Sequence, residues 1–328
     1  MDPSAAQPVN LVYPRGLGDY CVAARIGAGY ARRGGQVGLR CKGETQWAME
    51  GLPMLPGVGG PSDGADEVDL CDPPRFMGWD YCAPGNLMAR IADRIDLPRE
   101  LLPDHPWVRP EPWAAARYGE YLVVAPIGST KFSGLDLAQV EAAAMSCTAE
   151  HGLRCVVVHG EAIPGLPDDC EDLTGQTSIA ELGQIIGSAR AVLTVGTGPL
   201  HLAGACRVPL LAILGDIMRA EVVVEDYRPA LFVQVPGRAS YMPAPQLCDL
   251  LGLLLRSTVQ PVADLDLRAA NAAQQQRQID RETPKWKRAN CAISAVTVTG
   301  AGTKKASARS KSGRAKRLQS APRPQPTS

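Results

Sequence analysis

Three glycine-containing segments hold the residues best suited to bind or react with a ligand. The first, Arg15-Gly16-Leu17-Gly18-Asp19, follows a short apolar run. Glycines after a strand allow a sharp turn and the close approach of a ligand, and Asp19 would point from a helix start into the crevice at the strand ends. An aspartate there is also an ordinary helix cap that stabilises by about 1 kcal/mol. Spacing alone favours the cap, and the dinucleotide-binding fingerprint is absent because its third glycine is missing.

The second segment is a glycine loop with two hydroxyls and one ammonium group, Gly128-Ser129-Thr130-Lys131. Ser129 and Thr130 can hold phosphate oxygens, and Lys131 can act on them as a point charge. The G-x-x-x-x-G-K pattern of a P-loop is absent. Taken alone, the motif favours a solvated turn.

The third segment, Gly196-Thr197-Gly198-Pro199-Leu200-His201, carries the chain from a predicted strand into a predicted helix. A glycine turn at a helix start leaves free backbone N–H groups and the positive end of the helix dipole, so a diphosphate is a natural ligand for Thr197 and Gly198. His201 would either reach that ligand or pack against the core. The sequence pattern supports both roles equally.

The elements that must position these segments alternate between apolar strands and helices, which indicates an α/β fold with covered parallel sheets. One series occupies residues 1–115 and a second occupies 116–262, with a linker that holds five prolines between 98 and 112. A capping box from Ser178 to Glu181 predicts the start of one helix. We predict strands at 9–13, 36–40, 67–71, 121–125, 154–158, 191–195, 210–214 and 231–235, and helices at 20–33, 86–95, 135–151, 178–188, from 199 and at 245–255.

The ten cysteines do not form a C-x-x-C pair, which argues against a zinc site or a disulfide framework. Small buried thiols in a reducing cytoplasm are the simpler interpretation. The sequence contains no run of about 18 apolar residues, so no transmembrane helix is predicted. We therefore expect a cytoplasmic protein, alone or peripheral to a membrane or to nucleic acid.

Residues 263–328 are predicted to be a disordered tail, because they are too polar to pack. Residues 281–328 carry twelve Lys and Arg against one acid, so the rest of the chain has a net charge of −11. Such a tail would attract a polyanion, either nucleic acid or an acidic membrane surface. A solubilising appendage explains the composition equally well.

Together these segments resemble glycosyltransferase family 9, the lipopolysaccharide heptosyltransferases. The resemblance covers about 9–256 and is carried mainly by residues 172–182, 189–203 and 209–215. It implies the GT-B fold, in which two Rossmann-like domains face each other across a cleft. It also implies an inverting transfer of a sugar from a nucleotide diphosphate, such as ADP-heptose, to an acceptor hydroxyl, with no cofactor and no metal.

The resemblance also implies roles for individual residues. Asp19 matches the general base for the acceptor hydroxyl, and Arg15 and Gly18 lie beside it on the acceptor side. Glu161 falls near a ribose-binding acid. The donor diphosphate is expected to lie against Ser129, Thr130, Lys131, Thr197, Gly198 and His201.

One position departs from the family pattern, which usually places Asp before the Ser or Thr of the third segment. Here that residue is Gly196, so the part that reads the sugar differs while the diphosphate-binding part is kept. Three alternatives remain open: a transferase that decorates DNA bases by using the basic tail, a nucleotide-sugar epimerase, and a non-catalytic nucleotide-sugar binder. An epimerase would turn over the donor alone.

Overall fold

Apolar strands followed by glycine turns build two separate β-sheets. A computed structural model describes residues 6–13, 16–41, 57–70, 85–103, 120–128, 134–216, 218–223, 227, 229–257 and 295–296. The predicted domain boundaries near 115 and 262 lie outside these residues and stay predictions. Within the described residues, no helix is long and apolar enough to cross a lipid bilayer.

The first sheet has four parallel strands in the order β3-β2-β1-β4. Helix α1 connects β1 to β2, and the side chain of Asn86 caps α2 by accepting from the Ala89 N–H. A 3-10 turn, Arg99–Leu101, follows. The elements are β1 (Ala6–Tyr13), α1 (Leu17–Ala31), β2 (Gly35–Cys41), β3 (Val58–Gly59), β4 (Asp66–Asp69) and α2 (Leu87–Arg94).

The second sheet has seven strands in the order β11-β10-β9-β8-β5-β6-β7, all parallel except β11. Every residue of β5, β8 and β9 is buried, as expected for central strands covered on both faces. The elements are β5 (Tyr121–Ala125), α3 (Leu137–His151), β6 (Arg154–Val157), β7 (Cys170–Asp172), α4 (Ile179–Gly187), β8 (Ala191–Val195), α5 (Gly198–Cys206), β9 (Leu210–Leu214), β10 (Ala230–Gln234), α6 (Ala244–Ser257) and β11 (Ala295–Val296).

We call the first sheet with its helices the first unit, and the second sheet with its helices the second unit. The two units share one apolar core, in which α1 from the first unit packs against α5 from the second. A second core lies on the other face of the large sheet, beneath α3 and α6. The capping box predicted at Ser178 is confirmed, with hydrogen bonds in both directions between Ser178 and Glu181.

Three short strands differ from the sequence prediction. β3 and β7 were not predicted, because neither contains an apolar run. β11 was not predicted either: Ala295–Val296 lie in the stretch expected to be disordered, and they pair with β10. Within the described residues the cysteines are free thiols, and Cys21, Cys41, Cys147 and Cys155 are buried.

Candidate functional site

The candidate site lies where the order of strands reverses in each sheet. The chain runs outward from β1 to β2 and β3, then crosses to place β4 on the other side of β1; in the large sheet the reversal falls between β5 and β8. Ligands of open α/β sheets bind at the carboxyl ends of strands at such switch points. The three sequence segments follow β1, β5 and β8, so all three lie at a switch point.

The start of α1 places Asp19 beside buried phenol rings. Gly16 precedes the helix with φ 113°, a conformation that favours glycine, and its carbonyl accepts from the Tyr20 N–H at 3.0 Å. Asp19 is half-buried in the first turn. Tyr13 and Tyr20 meet edge to face with ring centroids 6.0 Å apart. Burial raises the pKa of Tyr13 above its usual range, and the nearby Asp19 carboxylate adds a smaller contribution.

The start of α5 has the geometry of an anion site. Thr197 precedes the helix in an extended conformation, and within the described residues its side chain does not cap the helix. Pro199 occupies the first turn and has no N–H to satisfy. The half-exposed Thr197–Gly198 turn therefore presents backbone N–H groups and the positive end of the dipole.

The starts of α1 and α5 lie directly against each other. A methyl group on Gly198 would lie 2.9 Å from Leu17 Cβ, and one on Gly18 would lie 2.6 Å from the imidazole Cδ2 of His201. Both contacts are closer than real side chains tolerate. The two glycines therefore bring Asp19 from one unit and Thr197 from the other to the same junction.

His201 is part of this junction rather than an exposed ligand contact. Its side chain is 2 % exposed, and its Nδ1 shares a hydrogen bond of 2.6 Å with the Tyr227 hydroxyl. Burial lowers the pKa of His201 to about 4, so the ring is neutral near pH 7. His201 therefore packs against the core, which is one of the two roles that the sequence left open. Sequence reasoning missed Tyr227, since nothing along the chain links it to a residue 26 positions away.

The loop after β5 is closed at its base, next to the start of α5. Ile127 bridges to Gly134, and the Leu135 N–H donates to the Pro126 carbonyl at 2.8 Å. Ser129, Thr130 and Lys131 fall between these anchors but lie outside the described residues, as does Arg15. Their roles stay predictions.

Glu161 is exposed beyond the carboxyl end of β6, the strand next to β5. Its backbone N–H donates to His159 Nδ1 at 3.1 Å. The carboxylate therefore lies on the same edge of the sheet as the α5 start but on the far side of β5. The predicted contact of Glu161 with the nucleoside end of a donor stays a prediction.

The position of Gly196 faces an apolar wall. A methyl group there would lie 3.4 Å from Met218 Cβ and 3.6 Å from Leu214 Cδ2. Gln234 holds the adjacent turn, because its Nε2 donates to the Gly215 carbonyl at 2.7 Å. Where the family usually carries a carboxylate, this chain therefore has no side chain, and the position of a Cβ is in contact with buried Leu214 and Met218.

Within the part of the chain that the structure describes, no group of three or more His, Cys, Asp or Glu is placed to hold a metal ion. The site described above consists of backbone N–H groups, one half-buried carboxylate and apolar walls. Two parallel sheets joined at facing switch points through adjoining helix starts define a GT-B-type glycosyltransferase fold.

Comparison with known proteins agrees with this class. Residues 144–221, which include α4, the 196–198 turn, α5 and β9, match the family described as Glycosyltransferase family 9 (heptosyltransferase). No curated protein matches the sequence. The family match confirms the predicted resemblance and the predicted enzyme class, a glycosyltransferase.

Solved structures share the fold at low sequence identity. A glycosyl transferase of family 9 from Veillonella parvula is 11% identical with a TM-score of 0.57, covering 76% of this chain and 98% of that one. The ADP-heptose lipopolysaccharide heptosyltransferase II of E. coli is 12% identical with a TM-score of 0.58, covering 77% and 100%. The iron-containing dodecameric glycosyltransferase TibC of E. coli is 13% identical with a TM-score of 0.54, covering 77% of each chain. These likenesses confirm the predicted GT-B-like fold.

Proposed function

We propose that this protein is an inverting glycosyltransferase that moves a sugar from a nucleotide-diphosphate donor of the ADP-heptose type to an acceptor hydroxyl. One observation supports the proposal: the starts of α1 and α5 adjoin at Leu17 and Gly198, with Asp19 in the first turn of α1 and the Thr197–Gly198 turn at the start of α5. In a direct displacement the base and the site for the leaving diphosphate must both lie near the anomeric carbon, because the acceptor oxygen attacks the carbon that the diphosphate leaves.

In this mechanism the donor diphosphate lies at the start of α5, against the N–H groups of the Thr197–Gly198 turn. The ammonium group of Lys131, which the sequence predicts as a diphosphate contact, would add a positive charge. Asp19 accepts the proton of the acceptor hydroxyl as its oxygen bonds to the anomeric carbon. The bond from that carbon to the diphosphate oxygen breaks at the same time, so the configuration inverts. The negative charge that develops on the leaving diphosphate is stabilised by the backbone N–H groups and the helix dipole. His201 is neutral and buried, so it contributes no charge to this step.

The proposal is tested by replacing the base without changing its shape. We expect Asp19→Asn to lower kcat for sugar transfer by about 100-fold or more, since general-base catalysis contributes roughly 10²–10⁴, while nucleotide-sugar affinity stays within about twofold. Asp136→Asn is the matched control, because Asp136 also lies at a helix start but caps α3, away from the junction. Full transfer activity in a folded Asp19→Asn variant would rule out the assigned base.

The donor and the reaction class are tested together. A thermal-shift screen against ADP-, UDP-, GDP- and TDP-sugars identifies the nucleobase of the donor, and we expect the ADP-sugar to give the largest shift. The products are then analysed with and without an acceptor. Sugar altered in the absence of any acceptor would mean an epimerase, and a thermal shift without turnover would mean a binding protein; either result overturns the proposal.

A further inference from the structure

Tyr227 lies in the second unit, distant in sequence from every residue assigned to the reaction, yet it braces the junction of the two helix starts. Its ring is 1 % exposed, and its hydroxyl shares the 2.6 Å hydrogen bond with His201. The two rings meet edge to face at 86°, with centroids 5.6 Å apart. The opposite edge of the His201 ring, with Cδ2 and Nε2, lies against Gly18, one residue before Asp19.

The fit of Tyr227 against α5 depends on a second glycine. A methyl group on Gly204 would lie 2.2 Å from Cδ1 of Tyr227, so no other residue leaves room for the ring in this position. Gly204 and His201 are three residues apart and therefore lie on the same face of α5. Tyr227 is thus locked to α5 by packing at one residue and by a hydrogen bond at the other.

We propose that Tyr227 is a positioning residue that, through His201, fixes the place of Asp19 relative to the diphosphate site at the start of α5. The inference rests on the proposed function, since it concerns the same reaction. The hydrogen bond to Nδ1 sets which ring nitrogen carries the proton and holds the plane of the imidazole. The imidazole in turn determines how closely Gly18, and with it the first turn of α1, approaches α5. Small errors in the position of a catalytic group lower the rate strongly while binding is kept.

The test is Tyr227→Phe, which removes the hydrogen bond and leaves the ring in place. We expect kcat for sugar transfer to fall about fivefold or more, with the donor Kd within about twofold of the wild type. Tyr121→Phe is the matched control: Tyr121 is also fully buried in the second unit, and its hydroxyl donates to the Ile185 carbonyl at 2.6 Å, away from the junction. It should lose similar stability and keep kcat within about twofold.

A spectroscopic measurement distinguishes positioning from a general loss of stability. The chain has four histidines, so the ring nitrogens of ¹⁵N-His-labelled protein can be assigned by His201→Gln. At neutral pH we expect one His201 tautomer in the wild type and in Tyr121→Phe, and a mixture of tautomers in Tyr227→Phe.

Two outcomes separate this inference from the proposed function. An active wild type with unchanged kcat in folded Tyr227→Phe, or with an equal loss in Tyr121→Phe, overturns the inference alone. A wild type that transfers no sugar overturns the proposed function and the inference with it.

Discussion

Asp19 and His201 occupy the first turns of adjoining helices, but their surroundings differ. Asp19 is half-buried, whereas His201 is enclosed between Gly18 and Tyr227. A carboxylate that remains accessible can exchange a proton with a bound hydroxyl. A neutral imidazole without access to solvent instead packs between α1 and α5 and so helps to set their relative position.

The buried imidazole predicts a specific loss of stability in acid. His201 has a pKa of about 4 in the folded protein and about 6.5 when unfolded. Below pH 6.5 the unfolded state binds a proton that the folded state does not, so folding loses up to about 3 kcal/mol between pH 6.5 and 4 and is unaffected above that range. Denaturant unfolding at several pH values measures this loss.

Two variants identify the source of that loss, because carboxylates also titrate in the same range. His201→Gln should remove this component from the pH profile of unfolding free energy. His159→Gln, a change at a half-exposed ring, should keep the wild-type profile. Identical profiles for wild type and His201→Gln would contradict the assignment.

At the scale of elements, the contact between α1 and α5 depends on glycines at both helix starts. Gly198→Ala would press a methyl group against Leu17 Cβ, and overpacking of this kind costs about 1–3 kcal/mol. We expect a lower unfolding free energy together with slower sugar transfer, because α1 and Asp19 must move away. Gly160→Ala is the control, since a methyl group there meets nothing within 4 Å; an equal effect of both changes would show that the junction is not special.

The sequence predicted the central strands well and the edge strands poorly. β5, β8 and β9 are continuous apolar runs buried on both faces, so their limits follow from composition alone. β7 is Cys170–Asp172, with two acids in three residues, and becomes a strand only because it pairs with β6. A pairing partner is a tertiary fact that local composition does not encode.

The same distinction holds within the site. Glycine turns after strands indicate where Asp19 and Thr197 must lie, because the backbone geometry is local. The contacts of His201 with Tyr227 and of Gly196 with Met218 join residues 26 and 22 positions apart. Only the packing of separate elements decides such contacts, and they determine which polar residue faces a ligand and which is buried.

For the whole molecule, the shared apolar core ties the two units together at the site. Leu11 and Ile26 from the first unit belong to the same cluster as Val123 and Leu200 from the second. The Asn86 side chain adds a hydrogen bond across the units, donating to the Val222 carbonyl at 3.4 Å. The two units are therefore held together next to the starts of α1 and α5 by apolar packing and by this hydrogen bond.

The basic tail gives a prediction on the same scale. Residues 297–328 carry eight Lys and Arg and no acid, so we expect a chain ending at 296 to lose most of its low-salt affinity for DNA. The affinity of the full chain for DNA should fall steeply with salt concentration, because Lys and Arg side chains that bind phosphates release counterions from the DNA. Fluorescence anisotropy with a labelled duplex across a salt series measures both chains, and equal affinities at low salt would exclude the tail as a polyanion contact.

The end point chosen for that truncation follows from the two-residue strand β11. Ala295 and Val296 pair with Val233 and Phe232 in β10, a strand that would otherwise form the border of the large sheet. The opposite border, β7, is short and carries Glu171 and Asp172, whose charges discourage other chains from adding to it. The apolar border at β10 has no such charges and relies on being covered. A chain cut before 295 would leave it open to self-association, so aggregation during expression would reflect the missing strand.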